Sequence, residues 1–200
     1  TKREGGALVG GDTTASREKL AVNVVAIGRA PMTNIKRRSA AKVGDAVCVT
    51  GKLGASSKGL VDIMFGDLNT TAAKAHRGAQ ARVAEGIWLG TREEVHAMMD
   101  ISDGIASDIK HIMEMSNVGA SINLDQIPTD YDIRFATTGG EDYELLLTVD
   151  SASFDNIAEK LYKATGTTLT KIGTITEGDS VEWFDNGKPT ELELKGFTHF

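Results

Sequence analysis

Three short stretches of this 200-residue chain combine glycine with acidic side chains: Gly10-Gly11-Asp12-Thr13-Thr14, Asp100-Ile101-Ser102-Asp103-Gly104 and Gly139-Gly140-Glu141-Asp142. Glycine lets a backbone come close to a ligand and turn its N–H groups towards phosphate oxygens, while neighbouring carboxylates can hold the Mg²⁺ that accompanies such phosphates. Together the three turns suggest a metal–nucleotide site. Each also has an ordinary structural reading. Ser102 or Asp103 could simply cap a helix, and the two Gly-Gly pairs could simply be turns. The spacing of Asp100 and Asp103 favours chemistry, because two carboxylates three residues apart around a strand-to-helix turn repel each other unless a cation lies nearby. Arg38, inside the run Lys36-Arg37-Arg38, reads either as a phosphate clamp or as part of a solvated linker face.

Other chemistries find little support. No P-loop pattern, no dinucleotide-binding glycine fingerprint and no local Ser/His/Asp signature occurs. His76, His96, His111 and His199 show no metal-ligand spacing with one another, so none is given a role. Met98, Met99, Met113, Met115 and Trp88 are expected to fill core space. Cys48 falls in an apolar strand pattern and reads as inert packing.

The elements that must position these turns follow from periodicity. Residues 20–30 are rich in β-branched side chains and end at Pro31, which predicts a buried strand and a domain boundary near that proline. A polar, cationic stretch follows, then a strand over residues 46–50. Leu60, Ile63 and Met64, and then Val83, Ile87 and Trp88, recur at helical spacing. Residues 97–101 read as a strand running into the acidic turn, and Ile105, Ile109, Ile112 and Met113 mark one face of the helix after it. Strands are expected over 120–124, 143–149 and 168–175, with a helix capped by Ser151 and carrying Phe154, Ile157, Ala158 and Leu161. Asn186-Gly187 tolerates positive φ and predicts a terminal hairpin between residues 181–185 and 190–194. The fold class is α/β: a mixed sheet with flanking helices.

Composition sets the remaining bounds. The chain is 40% hydrophobic and 25% charged, which is a globular balance. Its 22 basic against 28 acidic residues give a net charge of −6, a sign that disfavours nucleic-acid and anionic-membrane partners. No apolar run is long enough for a membrane span, and a single cysteine excludes an internal disulfide, so a cytoplasmic location is expected. The chain opens on Thr1 with a recognisable motif already at Gly10, and missing upstream sequence is expected.

The strings ALVGGDTT (7–14), RSAAKVGDAVCVTGKLGASSKGL (38–60), DISDGIASDIKHI (100–112), TGGEDYELLLTV (138–149) and GFTHF (196–200) closely resemble the thiamine-monophosphate kinase family, within the aminoimidazole ribonucleotide synthetase-like superfamily. The resemblance implies ATP-dependent phosphorylation of thiamine monophosphate to thiamine diphosphate, with several Mg²⁺ ions and ATP as co-substrate. It implies that Asp12, Asp100 and Asp103 bind metal, that Gly11, Asp12, Arg38 and Ser102 contact ATP, and that Glu141 and Phe197 contact thiamine monophosphate. No side chain is implied as a general base, since the attacking phosphate oxygen is already anionic. Residues 1–30 would be the end of a truncated N-terminal ATP/Mg-binding domain, including its last strand, and residues 31–200 the C-terminal α/β domain. The full-length protein would be a homodimer, and this fragment inactive alone. Departures from the family are the string Arg77-Gly78-Ala79-Gln80-Ala81-Arg82, where prolines are expected, and a short link from Pro128 to Gly139. A related ATP-dependent synthetase and a non-catalytic nucleotide-binding module remain alternatives.

Overall fold

A computed structural model describes residues 5–190. Seven strands form one sheet in the order β2-β4-β1-β5-β3-β6-β7, and every neighbouring pair is antiparallel except β3 and β6. The strands are β1 Ala46–Thr50, β2 Val95–Asp100, β3 Gly119–Asn123, β4 Leu145–Val149, β5 Leu169–Thr176, β6 Val181–Asp185 and β7 Lys188–Pro189. The helices are α1 Ala55–Met64, α2 Thr71–Arg77, α3 Val83–Gly90, α4 Ile105–Ser116, α5 Ile133–Thr138 and α6 Phe154–Thr165. The mixed sheet with flanking helices is as the sequence predicts.

Alternation along the central strands puts apolar side chains on both faces of the sheet. Val47, Val49 and Leu146 meet Ile105, Ile109, Ile112 and Met113 of α4 on one face. Ala46, Cys48, Leu147 and Val149 meet Leu89 of α3 and Ile157 and Leu161 of α6 on the other. Cys48 is fully buried, and burial pushes its thiol well above the usual range, in keeping with inert packing. The tip of the β6–β7 hairpin has Asn186 at φ 49° and Gly187 at φ 75°, the two left-handed residues that a tight two-residue turn requires. The hairpin's return strand pairs at Lys188 and Pro189, earlier than residues 190–194, and residues 191–194 lie outside those described.

Several expectations are corrected. Residues 20–30 form no strand: Leu20, Val22, Val24, Val25 and Ile27 are each at least 75% exposed. A strand needs a neighbour to bond its backbone and cover its side chains, and nothing in the described residues offers one. In α1 the apolar spacing faces outward. Leu60 and Met64 are exposed, while Ser56, Gly59 and Asp62 are buried because α1 packs closely on α2. A Cβ at Gly59 would strike the Ala72 carbonyl, and Asp62 accepts the Thr70 hydroxyl at 2.7 Å and pairs with Lys58. Ile87 and Met115 are likewise exposed. Ser151 does not cap α6; it starts a short 3₁₀ turn, and its hydroxyl donates to the Gly44 carbonyl at 2.6 Å. Among the described residues no helix is long and apolar enough to cross a membrane.

Candidate functional site

Strand β2 ends at Asp100, and the chain turns through Ser102, Asp103 and Gly104 into α4. Gly104 takes φ 97°, and a Cβ there would come within 2.9 Å of the Gly139 carbonyl oxygen, so the turn needs glycine on both counts. Asp108, fully buried in the first turns of α4, reaches back to this loop. Its Oδ2 accepts the backbone N–H of Ser102 at 3.0 Å and of Asp103 at 3.1 Å. The same carboxylate's Oδ1 is buried and has no hydrogen-bond partner among the described residues. Burial pushes the Asp108 carboxyl up to about 6, against the lowering effect of those two N–H groups.

The Gly139–Asp142 turn lies directly against this loop. The Glu141 N–H donates to the Ser102 carbonyl at 2.9 Å and the Tyr143 N–H to the Ile101 carbonyl at 3.0 Å. Glu141 and Tyr143 both adopt left-handed backbone, at φ 64° and 53°. Such conformations cost non-glycine residues energy and persist only where surrounding contacts impose them. Asp142 supplies one such contact, accepting the N–H groups of Gly54 and Ser56 at 2.7 and 3.1 Å where α1 begins. Glu144 supplies another: its carboxylate binds Arg82 through Nε at 2.7 Å and accepts the Thr50 hydroxyl at 2.7 Å. Arg82 and Glu144 thus tie the turn to β1 and α3.

Between these turns and α1 opens a cleft of about 500 Å³ whose lining includes Ser57, His76, Ser102, Asp103, Gly140, Glu141 and Tyr143. The Tyr143 hydroxyl is held above its ordinary value, first by burial and then by the charges of Glu141, Asp100 and Asp103. His76 closes the far wall, with Nδ1 2.8 Å from the Ser56 hydroxyl and 3.5 Å from Glu141. One donor atom each of Asp103, Asp108 and His111 lies within 4.8 Å of the others. Two carboxylates, one of them with a buried oxygen that has no hydrogen-bond partner among the described residues, and an imidazole form a donor set suited to a dication.

The sequence-predicted residues divide accordingly. Ser102, Asp103 and Glu141 come together in the cleft lining, while Asp100, at the exposed end of β2, is not part of that lining. Gly11 and Asp12 do not line the cleft; both are exposed, and the Asp12 carboxylate accepts the neighbouring Thr13 N–H at 2.8 Å. Arg38 is exposed on a 3₁₀ turn whose carbonyl accepts the Ser116 hydroxyl at 2.6 Å. That fixes it at the C-terminal end of α4, a full helix length, about 18 Å, from the acidic loop at the other end. Phe197 lies outside the described residues. Sequence reasoning missed Asp108, Asp142, Tyr143, His76 and His111. For Asp108 and His111 a signal existed, since they stand three apart on one face of a helix that begins at an acidic turn.

Residues 42–186 match the sequence model of the AIR synthase related protein, C-terminal domain. The chain belongs to that family. It is 34% identical to the thiamine-monophosphate kinase of Escherichia coli strain K12 over 96% of its own length and 63% of that protein's. With the thiamine-monophosphate kinase of Buchnera aphidicola (subspecies Acyrthosiphon pisum) the figures are 33%, 96% and 64%. The chain therefore spans just under two thirds of the length of these relatives. Among solved structures, the family fold is shared with thiamine-monophosphate kinase from Stenotrophomonas maltophilia K279a, at TM-score 0.67 and 30% identity over 78% of this chain and 54% of that one. A structure of AaThiL complexed with AMPPCP and TMP aligns at TM-score 0.67 and 29% identity, over 82% and 53%. Escherichia coli HypE, at 16% identity and TM-score 0.66 over 82% and 54%, shares the fold alone.

Proposed function

We propose that this chain is the larger part of a thiamine-monophosphate kinase, a phosphotransferase that moves the γ-phosphoryl group of ATP to the phosphate of thiamine monophosphate. The observation that carries the reading is the meeting of two acidic, glycine-bearing turns on one cleft, in a chain about one third identical to such kinases over 96% of its length. An oxygen of the acceptor phosphate forms a bond to the γ-phosphorus, the bond to the bridging β-oxygen breaks, and ADP leaves with that electron pair. Thiamine diphosphate is the product, and no side chain need take a proton from the attacking oxygen.

In this reading Asp12, Asp100 and Asp103 hold metal, Gly11, Asp12, Arg38 and Ser102 contact ATP, and Glu141 and Phe197 contact thiamine monophosphate. Bound Mg²⁺ supplies positive charge between two polyanions that otherwise repel. The chain's own contribution near the cleft is to hold its carboxylates still. Asp108 fixes the backbone of Ser102 and Asp103, and Asp142 and Glu144 fix the backbone around Glu141. Preorganisation of this kind avoids reorganisation cost during the reaction. Residues 1–30 belong, on this proposal, to a first domain that brings Asp12 and Gly11 to the nucleotide, and residues 31–200 to the second. A homodimer in the cytoplasm, with no nucleic acid or membrane as partner, completes the reading.

The test is Mg-dependent formation of thiamine diphosphate from ATP and thiamine monophosphate by the full-length protein. Asp103→Asn and Asp12→Asn should each lower the rate at least about tenfold, about 1.4 kcal/mol of barrier. Normal rates in both variants would remove their metal roles. Failure to consume thiamine monophosphate across a substrate panel would remove the kinase assignment.

A further inference from the structure

We infer that Asp103, Asp108 and His111 together form a site for a first-row transition dication, with the imidazole as a direct ligand. The inference rests on the proposed metal role of Asp103 and extends it to two residues that reading does not use.

Three observations carry it. First, Asp108 and His111 stand three residues apart on α4, so they project from the same face, and Asp103 comes onto that face from the preceding loop. One donor atom from each lies within 4.8 Å of the others, close enough for small side-chain rotations to bring all three onto one ion. Second, Asp108 is fully buried and only half satisfied. Its Oδ2 is committed to the N–H groups of Ser102 and Asp103, and its Oδ1 has no hydrogen-bond partner among the described residues. A buried acceptor left in that condition asks for a ligand, and a cation answers it better than water because a second carboxylate stands beside it. Third, the donor set is mixed. Mg²⁺ prefers oxygen ligands and retains its waters, whereas imidazole is a favoured ligand of first-row transition ions such as Fe²⁺, Ni²⁺ and Zn²⁺. Asp103 and His111 are only half-buried, so the remaining coordination positions are open to solvent.

The ring of His111 therefore separates this site from an ordinary acidic magnesium site. A transition dication there would hold Asp103, which also lines the cleft, together with two residues of α4 that do not. The loop's conformation and its cation would then reinforce each other.

Mn²⁺ is the probe, because its electron spin reports directly bound nitrogen. The full-length protein, without nucleotide or thiamine monophosphate, is titrated with Mn²⁺ in a large excess of Mg²⁺ and followed by electron paramagnetic resonance with electron spin-echo modulation. Retention of one Mn²⁺ with ¹⁴N modulation from a single imidazole supports the site. His111→Gln should abolish the nitrogen modulation and weaken Mn²⁺ binding at least tenfold. Asp108→Asn should weaken binding by a similar factor. Because Asp108 also holds the loop, a misfolded Asp108→Asn protein is set aside, and the half-exposed His111→Gln decides the matter. Binding without nitrogen modulation, unchanged binding in His111→Gln, or no Mn²⁺ retained against Mg²⁺ would each overturn the inference. An active kinase lacking nitrogen ligation sinks only this site; nitrogen-ligated Mn²⁺ in a protein that ignores thiamine monophosphate sinks only the kinase reading.

Discussion

The turns at Gly10–Thr14 and Asp100–Gly104 have nearly the same chemistry in sequence and opposite fates in structure. The first stands on an exposed segment where Asp12 meets only its neighbour's N–H. The second is clamped from three directions, by Asp108 beneath it, by the Glu141 and Tyr143 N–H groups beside it, and by the glycine geometry at Gly104. A carboxylate organises a polyanion only when its own position is already fixed, so composition alone does not make a site. The second turn is fixed by contacts among the described residues, and the first is not.

The sharpest way to break that contrast is at the clamp's anchor. Glu144→Gln takes from the half-buried Arg82 the carboxylate it binds through two nitrogens, leaving it the Glu85 carboxylate at 3.5 Å, and should cost about 3 kcal/mol, read as a lower denaturant midpoint at unchanged slope. Gly140→Ala should come next. Its Cβ would strike the Ser102 carbonyl, a backbone atom that cannot move aside, for an expected loss of about 2 kcal/mol in the same measurement. An equally stable Gly140→Ala protein would show that the two turns do not lean on each other.

A pH series probes the third anchor. Burial pushes the Asp142 carboxyl from its usual 3.8 up to about 6, so the folded chain holds this proton more tightly than the unfolded one. Its contribution to stability is therefore complete below about pH 4 and is lost as pH rises towards 6. Melting temperatures at pH 4.5 and 6.5 should reveal this loss in the wild type and a smaller one in Asp142→Asn, which cannot ionise. The smallest effect is expected at the first turn. Gly11→Ala meets nothing within 4 Å and should change stability by no more than about 0.5 kcal/mol. A large loss there would mean that the Gly10–Thr14 turn is held by contacts not seen in this chain.

Much of the architecture was legible because periodicity reports burial wherever a large apolar face meets a large apolar partner. The Ile105, Ile109, Ile112 and Met113 face of α4 and the apolar strand over residues 46–50, buried along its whole length as β1, are read correctly on that ground. The same rule fails for α1, where close approach of α2 is made through Gly59 and Ala72 and the larger side chains turn outward. It fails again for residues 20–30, whose pattern describes a strand but which pair with no strand among the described residues.

By itself the sequence determined that this is an α/β protein with three acidic, glycine-bearing turns, because residue type and spacing carry backbone preference and charge without reference to distant neighbours. Only the tertiary structure decided which turns share a cleft, and it brought in Asp108, Asp142, Glu144 and His76. Asp142 and Glu144 act across separations such as the 88 positions between Gly54 and Asp142, whereas Asp108 acts within six positions of its own. Contacts of that range are fixed by the packing of the sheet and its helices, which no local spacing encodes.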